Sequence, residues 1–263
     1  LKMKRILILV ITVVQSALCD EPIIRGVYDP EAAASNFIHA AWVYMKTGNC
    51  ASGVVAFAAI ADKYPLDDYT AVSRDISRQL KKLEKANSGW KEPSNWRDLP
   101  LNEQVDYHIH HLQDLNLIQS SWPDECNVMD DGYISWYTNQ TSCAFHPGVE
   151  LMKIGMPAVP SLISLLNDMR PTRSIGFRRP WFRDSWTLLR YQDVAIQILE
   201  EMAGQKEVFY TRRSTSAYLS TEPEDYRDDV IKKVKEWYKE KTDAEPGDPP
   251  NTHSPSAQGV GGR

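Results

Sequence analysis

Apolar residues recur at three- and four-residue spacing through most of the middle of the chain, and this spacing is the strongest constraint on its fold. Three clear series are Phe37, Ala40, Ala41 and Tyr44; Val72, Ile76, Leu80 and Leu83; and Tyr226, Val230, Val234 and Trp237. Residues at this spacing share one face of an α-helix, so each series predicts an amphipathic helix. We therefore expect an all-α fold built of antiparallel helical hairpins.

The ends of the first two helices are marked by typical capping residues. Asp29 precedes Pro30, the order of an N-cap and a first helical residue, and Gly48 is a typical C-cap. A second helix follows and ends before Pro65, because proline lacks the N–H that a helix interior requires. The turn-rich stretch NSGWKEPSNWRDLP then predicts a boundary between an N-terminal hairpin region, residues 20–94, and a second helical region, residues 95–242.

The two ends of the chain differ in composition from the middle. Residues 1–19 combine a basic start, the apolar run ILILVITVV and the small residues Ala17 and Cys19, which is typical of a secretory signal peptide. The alternative is a lipid anchor on Cys19, against which the bulky Leu18 argues. Residues 243–263 are rich in Pro, Gly and Ser, and such a composition predicts a disordered tail. We expect a secreted or periplasmic protein without a transmembrane segment.

The cysteines fit an oxidising compartment. Cys126 and Cys143 flank a stretch rich in Gly, Asp, Asn and Thr, and we predict a disulfide there. Closing a loop of this length stabilises by about 3 kcal/mol in the chain-entropy model. Cys50 is then either a buried thiol or a partner in another pairing. A Cys/His zinc site is the alternative, but the sequence has no CxxC spacing.

Three histidines lie close together in the stretch DYHIHHLQDLN, residues 106–116. On a helix, His108 falls beside the apolar face, His111 lies one turn further on, and His110 points nearly opposite, toward Asp114. The stretch lacks the HExxH spacing of a zinc protease, so His108 and His111 would need a third metal ligand from elsewhere. Candidates for that ligand are Asp124, Glu125, Asp130, Asp131 and His146. The simpler interpretation is an ordinary helix, with His108 at the core edge and His110 paired with Asp114.

Residues 148–204 carry a pattern that resembles HEAT-like helical repeats. The first helix of the pattern is matched by Gly155, Ala158, Val159, Pro160, Leu162, Ile163, Leu166 and Asp168, and the second by Asp193, Ala195, Ile198 and Leu199. In the N-terminal region, the pattern A-x-x-Y, G-x-C and IADKYP is similar to tetratricopeptide hairpins. The resemblance implies paired antiparallel helices stacked in an array, and most such arrays bind proteins. It implies no enzyme activity.

A long insertion separates the two helices of the HEAT-like pattern. It contains Arg170, Arg173, Arg178, Arg179, Arg183 and Arg190, interleaved with Phe177, Trp181, Phe182 and Trp186. Insertions in helical arrays are commonly loops on the binding face, and arginine forks bind carboxylate, phosphate or sulfate. We predict that Arg170, Arg173, Arg178, Arg179, Trp181 and Arg183 bind a ligand. The alternative is structural: the arginines pair with Asp168, Asp184, Asp193 and Glu200 while the aromatic residues pack the insertion onto the helices.

Composition and motifs exclude several functions. The net charge of −5 and pI near 5.7 argue against a nucleic-acid binder, and no GxSxG, Walker or GxGxxG motif is present. The stretch DECNVMDDGY lacks the regular alternation of a calcium loop. We expect a binding or scaffolding protein without a cofactor, whose partner is a protein or an anionic glycan. The alternative is a metal-dependent hydrolase with a site near His108 and His111.

Overall fold

A computed structural model describes residues 29–65, 67–116, 118–120, 146–177, 186–204, 209 and 218–244. These residues form a mostly helical structure with eight α-helices, which confirms the helical prediction. The predicted signal peptide, the Cys126–Cys143 disulfide and nearly all of the predicted tail lie outside the described residues, and so does the lipid-anchor alternative at Cys19.

The helices, in chain order, are α1 Pro30–Thr47, α2 Cys50–Lys63, α3 Asp68–Ser88, α4 Leu101–His111, α5 Pro147–Ile154, α6 Val159–Ser164, α7 Tyr191–Ala203 and α8 Glu224–Asp243. Three strands accompany them: β1 Ile118–Ser120, β2 Pro171–Phe177 and β3 Trp186–Arg190. Short 3-10 turns include Leu112–Asp114 after α4, Leu165–Asn167 after α6 and Leu219–Thr221 before α8.

The ends of α1 follow from the capping residues that the sequence predicts. The Asp29 carboxylate accepts a hydrogen bond of 2.9 Å from the backbone N–H of Ala32, which satisfies one of the free donors of the first turn. Gly48 ends the helix with φ of 62°, a left-handed conformation that favours glycine. The Asn49 side chain then caps α2 through the N–H of Ser52, 2.9 Å away.

Two strands of a small mixed sheet, β2 and β3, form the described ends of the segment that the sequence predicts to be a loop. The order of the sheet is β1-β2-β3, with β1 parallel and β3 antiparallel to β2. The described ends of the insertion are therefore strands, so the loop prediction is wrong for them. Two buried hydroxyl groups are satisfied within this sheet region: Thr172 donates to the Leu189 carbonyl at 3.1 Å, and Ser174 donates to the Leu115 carbonyl at 2.7 Å.

The sheet lies between two groups of buried apolar side chains. The first group comes from α1, α2 and α3 and includes Phe37, Phe57 and Leu80, and the second comes mainly from α4 to α8. Successive residues of β3 divide between them, with Leu188 in the first group and Leu189 in the second. This division follows from the strand geometry, in which neighbouring side chains point to opposite faces.

Arg190, at the end of β3, connects the two groups by polar contacts. Its guanidinium is buried and lies 3.0 Å from the Asp75 carboxylate of α3, and it also donates to the Met169 carbonyl at 2.8 Å. Its backbone N–H donates to the fully buried Asp193 carboxylate, which in turn accepts two hydrogen bonds from Ser220 at 2.7 Å. These bonds fix the sheet, α7 and the turn before α8 relative to α3.

Some details of the helical pattern differ from the prediction. Val72 is 37% exposed, although the periodicity places it on a buried face. The first helix of the HEAT-like pattern is interrupted at Gly155, which has φ of 72°, and the two parts are bent by 111°. In the described part of the chain, no single helix has the length and apolar composition to cross a membrane, and only the bent pair Pro147–Ile154 and Met156–Asn167 meets both criteria jointly.

Candidate functional site

The arginine- and aromatic-rich segment, residues 170–190, begins and ends on the sheet. Phe177 and Trp186 are register partners at the end of the β2–β3 pair. Trp186 is half-buried against the first apolar group, and its carbonyl accepts a hydrogen bond of 3.5 Å from the Tyr69 hydroxyl of α3. The sheet thus holds both ends of residues 178–185 next to each other.

Arg170 forms a tight pair with Asp168. Its guanidinium donates to the Asp168 carboxylate through Nη2 at 2.5 Å and through Nε at 2.8 Å, and it lies 4.4 Å from the centre of the Tyr191 ring. Burial disfavours the charged form of Arg170, but the hydrogen bonds to Asp168 outweigh this effect and raise the pKa of the guanidinium above its ordinary value. Arg170 therefore fixes the start of β2 against α7.

Arg173 binds the end of α1. Its Nε donates to the Met45 carbonyl at 2.9 Å, and its Nη2 donates to the Lys46 carbonyl at 3.1 Å. The last carbonyls of a helix lack intrahelical partners and carry the negative end of the helix dipole, so a guanidinium stabilises them. A Cβ atom on Gly48 would lie 3.2 Å from the Arg173 Nε, which shows how closely the two segments pack.

The other four candidate ligand-binding residues, Arg178, Arg179, Trp181 and Arg183, lie outside the described residues. The structural alternative names four acidic partners, of which Asp168 pairs with Arg170 and Asp184 lies outside the described residues. Arg190 pairs with Asp75, a partner from α3 that sequence proximity does not suggest.

The histidine-rich stretch forms α4 and the turn that follows it. His108 is fully buried, and burial lowers its pKa to about 4, so His108 is neutral at physiological pH. The Trp96 ring packs edge-on against His108 at 4.5 Å between centres. The prediction that His108 packs at the edge of the core therefore understates its burial.

His111 lies between two carboxylates. Its Nδ1 is 2.9 Å from the Asp114 carboxylate, and its Nε2 is 3.3 Å from the Glu92 carboxylate. Both ring nitrogens can donate at once only in the imidazolium form. Burial alone would lower the pKa of His111, but the hydrogen bond to Asp114 and the charge of Glu92 outweigh it and raise the pKa. A protonated His111 has no lone pair for a metal ion.

The Glu92 side chain joins the connection that precedes α4 to this helix. Its carboxylate accepts hydrogen bonds from the Trp90 indole at 2.9 Å and from the Tyr107 hydroxyl at 3.0 Å, in addition to the contact with His111. Burial opposes its charge, yet the hydrogen bonds from Trp90 and Tyr107 lower the pKa of Glu92 below its ordinary value. Burial and the hydrogen bond to Glu92 raise the pKa of Tyr107 to about 12.

The predicted pairing of His110 with Asp114 is replaced by a different arrangement. The His110 ring stacks on the Trp90 indole at 3.7 Å between centres and 6° between planes, while Asp114 contacts His111. Helical spacing predicts which residues of α4 share a face. It does not predict the contact with Trp90, because Trp90 comes from the preceding connection. Among the residues that the structure describes, no group of three or more His, Cys, Asp or Glu side chains is arranged to hold a metal ion.

Cys50 is a free thiol at the first residue of α2 and is half-buried. Burial raises its pKa above the ordinary value, so the unreactive thiol form is favoured. Within the described residues it forms no disulfide.

Comparison with protein-family models, with curated proteins and with solved structures finds no match for this chain. Its function therefore has to be inferred from its own residues.

Proposed function

We propose that the protein is an exported binding or scaffolding protein of the helical-repeat kind. In this proposal it engages a protein partner or an anionic glycan through the arginine- and aromatic-rich segment, residues 170–190. The observation that carries the proposal is the register of β2 and β3, which pairs Phe177 with Trp186. Between these two neighbours the sequence supplies Arg178, Arg179, Trp181, Phe182 and Arg183.

The chemistry of this segment suits an anionic partner. A guanidinium donates two parallel hydrogen bonds to a carboxylate or a sulfate, and tryptophan and arginine are the residues that contribute most at protein interfaces. The support beneath the segment is rigid, because the sheet is packed between two apolar groups and is tied to α1 through Arg173 and to α3 through Arg190.

We assign different roles to the arginines of the segment. Arg170 and Arg173 have protein partners within the described residues, so their role in the proposal is to hold strand β2 in position. Contact with the ligand is assigned to Arg178, Arg179, Trp181 and Arg183.

The metal-dependent hydrolase is the second candidate, with His108 and His111 as ligands. A buried neutral His108 and a His111 that bridges two carboxylates do not favour it. We therefore retain binding as the proposal.

The test is capture of two anionic probes, immobilised heparin and immobilised poly-L-glutamate, by the full chain. We expect the wild type to bind at least one of them and the double variant Arg178→Gln/Arg179→Gln to lose that binding with an unchanged melting temperature. The control is Lys239→Gln/Lys241→Gln, which removes the same charge from the exposed end of α8. Retained capture by the arginine variant, or an equal loss in the lysine control, would refute the proposal.

A further inference from the structure

A groove of about 200 Å³ lies between α2 and α3. Its floor is made of small side chains, including Ala58, Ala61 and Ser77. The Ser77 hydroxyl donates to the Val54 carbonyl at 3.0 Å, so this backbone acceptor is already satisfied. The groove exists because α2 and α3 pack closely while small residues line this part of their contact.

One wall of the groove is basic. Arg74, Arg78 and Lys81 of α3 line it, and they belong to a row of exposed cations, the α3 basic row, that comprises Arg74, Arg78, Lys81, Lys82 and Lys85. Between residues 74 and 85 these five cations outnumber the two acids, Asp75 and Glu84, by three charges. The excess is notable because the whole chain has a net charge of −5.

The α3 basic row extends along the helix. An α-helix rises 1.5 Å per residue, so the row spans about 16 Å along the helix axis. Except for the adjacent Lys81 and Lys82, neighbouring members of the row are separated by about 4.5–6 Å along this axis. Arg78 contacts the Asp75 carboxylate at 2.6 Å but keeps 68% of its side chain exposed. Arg74 and Lys81 have no carboxylate within ion-pair distance among the described residues. Regular spacing of cations suits an extended polyanion.

The opposite wall offers a different chemistry. Asp62 of α2 lines the groove and is exposed, and a carboxylate accepts hydrogen bonds from hydroxyl groups. A ligand with both anionic groups and hydroxyl donors would use both walls, whereas a simple anion would be repelled by Asp62. None of the described residues that line this groove is aromatic, although protein sites for single-stranded nucleic acid typically need aromatic side chains to stack bases.

We infer that the α2–α3 groove binds a sulfated or carboxylated polysaccharide, with the anionic groups along the α3 basic row and sugar hydroxyls against Asp62. The groove is a different surface from residues 170–190, so for an anionic glycan it is the alternative to that segment, whereas binding of a protein partner by residues 170–190 does not depend on it. The groove volume is below the 300–1,000 Å³ of typical small-molecule pockets, which fits a single unit of a longer chain held along the surface.

The test is fluorescence anisotropy of a labelled heparin hexasaccharide with the full chain at low salt, beside a desulfated hexasaccharide. The variant Arg74→Gln/Lys81→Gln removes two cations and leaves Arg78, whose partner Asp75 also binds the buried Arg190. One charge–charge contact at 4 Å in water is worth about fivefold in affinity, so we expect the double variant to bind at least about tenfold more weakly. Wild-type binding should also weaken between low and physiological salt.

Two further variants separate this inference from the proposed function. Lys239→Gln/Lys241→Gln lowers the net charge equally and should bind as the wild type does. Loss of hexasaccharide binding in Arg74→Gln/Lys81→Gln but not in Arg178→Gln/Arg179→Gln would support the groove while counting against residues 170–190 as a glycan site. The reverse pattern would overturn the groove, as would equal binding of the desulfated sugar or wild-type binding to anionic phospholipid vesicles without hexasaccharide binding.

Discussion

The contact between Arg190 and Asp75 gives the sharpest stability prediction. The Arg190 side chain is 5% exposed and the Asp75 side chain 20%. Asp75→Ala would therefore leave a buried guanidinium that, among the described residues, keeps only its hydrogen bond to the Met169 carbonyl. Removing one member of a buried ion pair costs 3–5 kcal/mol. Because Asp75 is partly exposed, we expect a loss at the lower end, about 3 kcal/mol of unfolding free energy, or roughly 6–12 °C in melting temperature.

Urea unfolding followed by circular dichroism measures this loss, and Arg78→Ala is the matched control. Arg78 contacts the same carboxylate from the exposed side, and exposed ion pairs contribute at most about 1 kcal/mol. In the Asp75→Ala background, Arg190→Leu removes the unpaired charge, so part of the lost stability should return. Equal losses in Asp75→Ala and Arg78→Ala would refute the claim that Arg190 ties the sheet to α3.

Two further predictions concern the pH response of α4 and the packing of strand β2. The raised pKa of His111 means that its stabilising contribution is complete below about pH 6.5 and is lost as the pH rises through the raised value. Its carboxylate partners are half exposed, and exposed ion pairs contribute little. Above pH 6.5 the wild type should therefore lose at most about 1 kcal/mol of unfolding free energy relative to His111→Gln. A difference between the two proteins that does not change with pH would contradict this prediction. A Cβ atom on Gly176 would lie 2.5 Å from the Tyr218 ring, so Gly176→Ala should cost about 1–3 kcal/mol. Gly89→Ala, where the added Cβ meets only one backbone oxygen at 3.9 Å, should stay within about 0.5 kcal/mol of wild type in the same thermal melts.

Local signals in the sequence predict the helices well. Asp29, Pro30 and Gly48 mark α1 because capping depends on the residues next to the helix ends. The buried faces of α3 and α8 follow from spacing alone, with Ile76, Leu80 and Leu83 buried in α3 as expected. Val72 is the exception, since spacing does not report where along a helix the neighbouring element ends.

The sheet and the polar contacts depend on residues distant in sequence. Strand β2, PTRSIGF, contains proline and glycine and is held by pairing with two separate segments, so no local pattern marks it. The partner of Arg190 is Asp75, 115 residues away. Glu92, which bonds to Tyr107 of α4, lies in a connection that the sequence predicts to be turn-rich. Trp90 and Trp96 in that connection were the available signal, because large aromatic residues in a short connection usually pack on a neighbouring element.

The α3 basic row illustrates the limit of a sequence for functional inference. The spacing of its cations on one helix face can be read directly, and the most economical interpretation of such a face is a solvated surface. The groove beside it depends on Ala58 and Ala61 of α2, which become its floor only when the two helices pack. Asp62 of α2 likewise lines the groove only when the two helices pack.

Hydrogen exchange of the full chain with and without the anionic probes tests the proposed binding role most directly. Ligand contact slows exchange in the segment that it covers. With heparin or poly-L-glutamate bound, we predict slower exchange in peptides that span residues 170–190. Binding of either probe with unchanged exchange across this segment would contradict the account and would direct attention to whichever surface is protected instead.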